Sequence, residues 1–284
     1  MKNKEQLKGI KKKIVYNSDM DMDYLLHKIQ QKEESNVLPS FIGIIIGILV
    51  VVILVVIIMP SGKKSEKDDV KLVTTEEGTT VEEMDLQDIC EQVYYTDKEF
   101  LMLVNNYNPL DETYEFEHHT LNCGYDIDAR IYDDLSAMLT ALNNDGLHYN
   151  ILSAYRSRED QAQILEDNVA RNMEQGMTEE EAYEEAYKTV QKVGCSEHET
   201  GLCFDITEEN TVVLTESVEE SPVNIWLMEH CHEYGFILRY PKDKEEITGI
   251  SYEPWHFRYV GKDASKFMYE NDLTLEEFYM LLIG

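Results

Sequence analysis

Positive charge is what this sequence has least of. Across 284 residues, 25 Lys and Arg stand against 56 Asp and Glu, for a formal net charge of −31. Nucleic acid is therefore excluded as an expected partner, because phosphate binding needs clustered Lys and Arg to release counterions. Internal repeats are absent as well. The chain is nevertheless not a disordered acidic tail, since 43% of it is hydrophobic and supplies ample material for a core. The charge is unevenly spread. Residues 1–40 hold eight Lys and six acids, residues 41–60 hold no charge at all, and residues 61–284 hold 17 basic and 50 acidic side chains.

Phe41 to Met59 reads FIGIIIGILVVVILVVIIM, without a polar side chain. A helix of that length spans about 28 Å, close to the ~30 Å hydrocarbon core of a bilayer. A buried core helix would show a polar face and be shorter. A cleaved signal peptide would have an apolar region of about 7–15 residues leading to a small-residue site, whereas Met59 is followed by Pro60, Ser61, Gly62, Lys63 and Lys64. One uncleaved transmembrane helix is expected. The lysines of residues 1–40 favour a cytoplasmic N-terminus. The nearest ones disagree, with Lys63, Lys64, Lys67 and Lys71 after the helix against Lys28 and Lys32 before it. The external placement of the C-terminal domain rests on the chemistry below. The expected organisation is a cytoplasmic tail (1–40), a transmembrane helix (41–59), a stalk or linker (60–97) and a folded domain with C-terminal helices (98–284).

Within that domain FLMLVN (Phe100–Asn105) has the pattern of a strand, ended by Asn106 and Pro109. Ile131, Leu135, Met138, Leu139 and Leu142 recur at helical spacing until Asn144–Gly146. His148–Tyr155 reads as a strand and Arg158–Met173 as a helix. Thr178 to Glu181 is a capping box opening a helix expected to reach about Val193. Ser221 and Pro222 start another, ended by Gly235. FILRY (Phe236–Tyr240) and FRYV (Phe257–Val260) read as strands, and Thr274 caps a terminal helix. Helices and short strands alternate without long parallel-type runs, which predicts a compact α+β domain.

Three segments carry chemistry. SAYRSREDQ (Ser153–Gln161) turns from strand to helix at Arg156; SEHETGLCFDI (Ser196–Ile206) sets His198 before Asp205 around a glycine; YEPWHFRYVG (Tyr252–Gly261) sets Glu253 just before His256. Two His and one Asp suit Zn²⁺ with one position left open, and Glu253 is the natural general base. His198 and Asp205 are expected to converge from the two arms of a hairpin. Taken singly, each residue has a bland reading: a lone His is more often a surface or core residue, and one carboxylate among 56 acids carries no signal.

Together, in this order and spacing, the segments resemble the VanY-like zinc D-alanyl-D-alanine carboxypeptidases of bacterial cell walls, over roughly Phe100–Gly261. The resemblance implies a small antiparallel sheet with surrounding helices, the fold shared with hedgehog-type domains. It implies one zinc ion held by His198, Asp205 and His256, with Glu253 as catalytic base. Arg156, Gln161, Ser196 and Tyr240 match positions that hold the substrate's terminal carboxylate or the developing oxyanion. The implied substrate is a peptidoglycan stem peptide, which lies outside the cytoplasmic membrane, with no obligate protein partner. An L,D-carboxypeptidase using the same site is the nearest alternative; a non-catalytic peptidoglycan-binding or sensor module is the alternative of another class.

Five cysteines, an odd number, leave at least one thiol unpaired within the chain. Cys203 stands where the resembled family commonly has a small residue such as alanine. For Cys195 and Cys203 buried packing, a mutual disulfide and a role near the metal all remain open. His230 and His232 flank Cys231 but, two apart on a helix, do not face each other, so a surface position is expected. His118 and His119 fall in an expected loop.

Overall fold

The computed structural model describes residues 72–74, 80–82 and 85–283. The chain divides into two compact units, Met1–Ile89 with Ile283, and Cys90–Leu282 with Gly284. In the first, β1 (Leu72–Thr74) and β2 (Thr80–Glu82) pair antiparallel. The expected tail and the Phe41–Met59 segment lie outside the described residues. Among the described residues no helix is long and apolar enough to cross a membrane.

Helix α1 (Leu86–Asp97) falls within the stretch read from sequence as a linker. Its Cys90 is buried with the thiol 3.6 Å from Phe278 O. Strands β3 (His118–Thr120) and β4 (Asp126–Asp128) form a two-stranded ladder, so His118 and His119 lie on a strand rather than in a loop. Helix α2 (Tyr132–Asn144) follows, then β5 (Tyr149–Ser153), α3 (Arg158–Glu174) and α4 (Glu179–Ala186). Strand β6 (Cys203–Glu208), helix α5 (Pro222–His230), strand β7 (Phe236–Leu238), strand β8 (His256–Tyr259) and helices α6 (Lys262–Asn271) and α7 (Leu275–Ile283) complete the main elements.

β5, β6, β8 and β7 form, in that spatial order, one antiparallel sheet. Side chains alternate across a strand, and the two central strands use this to separate core from site. Phe204 and Ile206 on β6 and Phe257 and Tyr259 on β8 enter the core, where they meet Leu135, Met138 and Leu142 of α2 and Val223 and Leu227 of α5. The intervening Cys203, Asp205, His256 and Arg258 occupy the opposite face and are buried too. Each buried Leu or Phe on the core face contributes about 1.5–3 kcal/mol, and that burial fixes the register. The expected small antiparallel sheet with surrounding helices is thus the observed α+β architecture.

Three expected elements differ. Phe100–Asn105 is not a sheet strand, because its carbonyls serve other donors. Phe100 O and Met102 O each accept from Arg258 Nη2 at 2.9 Å, and Leu101 O accepts from the Tyr279 hydroxyl. Helix α4 stops at Ala186, short of Val193. Beyond it Lys188 O accepts from the Ser251 N–H at 3.0 Å and Gln191 O from Gln161 Nε2 at 2.8 Å, so these carbonyls are withdrawn from any helical ladder. Cys231 is buried rather than on the surface; beside it His230 pairs with Glu233 and His232 stacks on Tyr269.

Candidate active site

Asp205 is the hub. It faces His256 directly across the β6–β8 ladder and Ser153 across β5–β6. Its Oδ1 lies 2.9 Å from His256 Nδ1, and its Oδ2 lies 3.4 Å from His198 Nε2 and 3.3 Å from Arg156 Nη2. His198 does not sit on a hairpin arm. It belongs to a single 3-10 turn, Glu197–Thr200, that closes on Gly201 in the left-handed conformation at φ 71°. A Cβ at Gly201 would stand 2.6 Å from the Phe116 ring and 2.9 Å from Asp128 N, so only glycine lets the chain reverse here.

The ring of His198 is set by its second nitrogen. Nδ1 lies 2.6 Å from Ala154 O; a carbonyl only accepts, so Nδ1 carries a hydrogen and Nε2 is the nitrogen turned to Asp205. The His198 and His256 rings meet edge to face with centroids 4.9 Å apart. Glu253 stands behind them, 93% buried by the 7% of its surface left exposed, with Oε2 4.0 Å from His256 Nδ1. Its position comes from the chain itself: Glu253 N–H donates to Tyr240 O and His256 N–H to Glu253 O, a turn around Pro254 that aims both side chains inward.

Arg156 is locked in place by three partners, donating through Nε to Ser153 Oγ, through Nη1 to Gln161 Oε1 and through Nη2 to Asp205. Gln161 is in turn held by Gln191 O, and Gln191 Nε2 donates to the Tyr240 hydroxyl at 2.7 Å. Tyr240 lays its ring beside His256 at 5.0 Å. Ser196 is buried at the start of the 3-10 turn, and its side chain makes no capping hydrogen bond. Arg156 also opens onto a cavity of about 190 Å³ lined by Tyr114, Tyr155, Arg158 and Glu199. A larger cavity of about 270 Å³, between β3 and α2, shares none of the site residues.

The electrostatics ask for a cation. Burial opposes charge on Asp205, yet the two imidazoles hold its carboxyl well below the usual range. Burial likewise opposes protonation of His256, but Cys203, Asp205 and Glu197 raise it well above its ordinary value. Burial pushes Glu253 up to about 8, assisted by the negative charge of Asp205 and opposed by His256. His256 Nε2 has no hydrogen-bond partner although fully enclosed. Two imidazoles and a carboxylate converging on one buried point, beside an acid and an arginine, are the borderline N/O donor set of a hydrolytic Zn²⁺ centre. His198, Asp205 and His256 would hold the ion.

Sequence reasoning missed the layer beneath. Glu197 Oε1 accepts from Arg239 Nε at 2.7 Å and from Arg258 Nη1 at 2.8 Å, while its Oε2 faces His256 Nε2 across 3.5 Å. Arg239 then donates through Nη1 and Nη2 to both oxygens of Glu276 on α7. All four charged side chains are buried. Glu197 and Arg239 lie inside the quoted motifs, but nothing in the sequence joins them to a glutamate near the C-terminus.

The architecture defines a metallopeptidase-type site on an antiparallel sheet, and comparison with known proteins supplies the family. A family model described as VanY, D-alanyl-D-alanine carboxypeptidase, matches residues 124–262. A D-alanyl-D-alanine carboxypeptidase of Enterococcus faecalis is 40% identical over 63% of this chain. The chain spans 65% of that relative's length. A vancomycin-resistance D,D-pentapeptidase VanY solved with Zn(II) matches with a TM-score of 0.58 and 39% identity over 63% of this chain and 98% of that one. VanYB in complex with D-alanine-D-alanine matches with a TM-score of 0.59 and 40% identity over 63% of this chain and 97% of the other. This chain belongs to the VanY D-alanyl-D-alanine carboxypeptidase family.

Proposed function

We propose that the protein is a zinc D,D-carboxypeptidase that removes the terminal D-alanine from peptidoglycan stem peptides. In this reading Phe41–Met59 anchors it in the cytoplasmic membrane, with residues 1–40 inside and the catalytic domain outside. The observation that carries the activity is the convergence of His198, Asp205, His256 and Glu253 beside the locked guanidinium of Arg156. The zinc-bound and D-alanine-D-alanine-bound relatives support the metal and the substrate.

Zinc, when held, supplies Lewis-acid polarisation of the scissile carbonyl and a water activated near neutral pH. Glu253 takes the proton that the attacking water loses. It then gives that proton to the departing D-alanine amine, leaving a stem shortened by one residue and a new carboxylate. Burial suits Glu253 to the second step, because a carboxyl with a raised affinity for protons is a competent acid once loaded; a cation held beside it would favour the ionised form that the first step needs. Arg156, planar and permanently charged, grips the terminal carboxylate or the oxyanion in a fork that Ser153 and Gln161 have already oriented. The negative charge of the domain makes anionic wall polymers poor partners, so this local positive centre selects for a substrate ending in a carboxylate.

The full-length chain in detergent, incubated with muropeptides ending in D-Ala-D-Ala or in a single D-Ala, should release D-alanine from the former and stop on chelation. Release from single-D-Ala stems instead would establish the L,D-carboxypeptidase. No release from either by zinc-loaded protein would favour a binding module, although that module would be expected to lack a ligand or the base, and all four residues are present. Protease shaving of intact cells should remove the C-terminal domain; its protection would reverse the topology.

A further inference from the structure

We propose that Cys203 is a fourth protein ligand of the metal, closing the site as His198, Asp205, His256 and Cys203. The proposal rests on the metal-site reading above and adds a thiolate to it. The reason lies in the strand. Cys203 precedes Asp205 by two positions on β6, and residues two apart on a strand share a face. The face that aims Asp205 at the two imidazoles therefore aims the thiol at them as well. Cys203 is wholly buried, and its Sγ and one nitrogen each of His198 and His256 all lie within 4.8 Å of one another.

Tetrahedral zinc binds nitrogen at about 2.0–2.1 Å and sulfur at about 2.3 Å, which places donors about 3.5 Å apart. With separations of up to 4.8 Å, a contraction of at most about 1.3 Å would bring the cluster to that spacing. The thiol forms no disulfide, so the sulfur is free to bind. Its proton passes to solvent as the metal–sulfur bond forms. None of the other four cysteines belongs to this cluster.

Two consequences follow. A soft donor biases the site towards thiophilic metals relative to an all-N/O site. A fourth protein ligand also occupies the position that catalytic zinc sites keep open, so Cys203 must leave the metal before the attacking water of the proposed reaction can bind there.

The test is Co(II) substitution of the full-length protein, read by absorption spectroscopy. Wild type should show visible d–d bands, which report a bound metal, together with a near-ultraviolet sulfur-to-cobalt charge-transfer band. C203A and the nearly isosteric C203S should both keep the d–d bands and lose the charge-transfer band. Their preference for Cd(II) over Zn(II) should fall by about tenfold. Cobalt bound without a charge-transfer band in wild type would overturn this proposal alone, as would a band that survives in either variant. Failure to bind cobalt at all would overturn the metal-site reading together with it. Because C203S preserves volume, a folding defect confined to C203A leaves the outcome readable.

Discussion

Asp205 and His256 are direct register partners on neighbouring strands, and their side chains meet at 2.9 Å on the face away from the core. Two proposed metal ligands are thereby placed by backbone pairing rather than by a loop. A slip of either strand by one residue would turn its site residue away and drive Phe204 or Phe257 out of the core. The apolar face therefore stabilises the geometry of the site, and mutations can be sorted by which of the two faces they disturb.

Glu253→Gln should lower D-alanine release by about 10²–10⁴-fold, the usual contribution of a positioned acid–base group. Zinc content should stay at the wild-type level, because Glu253 is 4.0 Å from the nearest ligand nitrogen and its backbone contacts persist. Turnover paired with metal analysis checks this. Undiminished release would remove Glu253 from the chemistry.

Arg156→Lys keeps the charge but loses the fork that reaches Ser153, Gln161 and Asp205 together. The expected result is a fall in kcat/KM of about 10–100-fold, corresponding to one charge-assisted hydrogen bond at about 1.5–3 kcal/mol. Steady-state kinetics should show it alongside an unchanged thermal midpoint. A comparable loss of stability would mean that Arg156 is chiefly structural.

Glu276→Gln removes one charge from a wholly buried network and leaves the bidentate acceptor of Arg239 half-made. Destabilisation of about 3–5 kcal/mol is expected in urea unfolding. Metal affinity should weaken as well, because Arg239 passes through Glu197 to His256. A variant as stable as wild type would show that α7 is dispensable to the site.

Glu197 gives the acid response a sign. Burial would raise its pKa, but Arg239 and Arg258 hold its carboxyl far below its ordinary value of 4.5. A depressed carboxyl contributes its full stability above the unfolded value and loses it as pH falls from there through the folded value. One such proton gives a slope of about 1.4 kcal/mol per pH unit. Below pH 4.5 the wild type should therefore lose stability more steeply than Glu197→Gln, which should be less stable at pH 7. Parallel acid profiles for the two proteins would contradict the assignment.

Gly201→Ala places a methyl group 2.6 Å from Phe116 and 2.9 Å from the backbone of Asp128 at a φ of 71°. Left-handed strain and the clash together should cost about 1–3 kcal/mol or more. Because Gly201 closes the turn that carries His198, zinc affinity should drop with stability. Wild-type values for both would show that the turn tolerates a side chain.

The sequence alone determined most of the local structure and named the residues that the fold brings together at the site. Periodicity located α2, capping residues located the starts of α4, α5 and α7, and three motifs named His198, Asp205, His256, Glu253 and Arg156. These are short-range signals, because helical periodicity, caps and motif spacing act within a few residues. Tertiary structure decided where the chain's polar groups found their partners. Phe100–Asn105 has a strand's apolar pattern but gives its carbonyls to Arg258 and Tyr279, far along the chain. Glu197 looked like one acid among many until the fold enclosed it between Arg239, Arg258 and His256. The sulfur of Cys203, open to three readings in the sequence, came beside His198 and His256 because β6 puts alternate residues on one face. Such pairings depend on which distant strands and helices share a buried space, and desolvation makes them obligatory only once that space has closed.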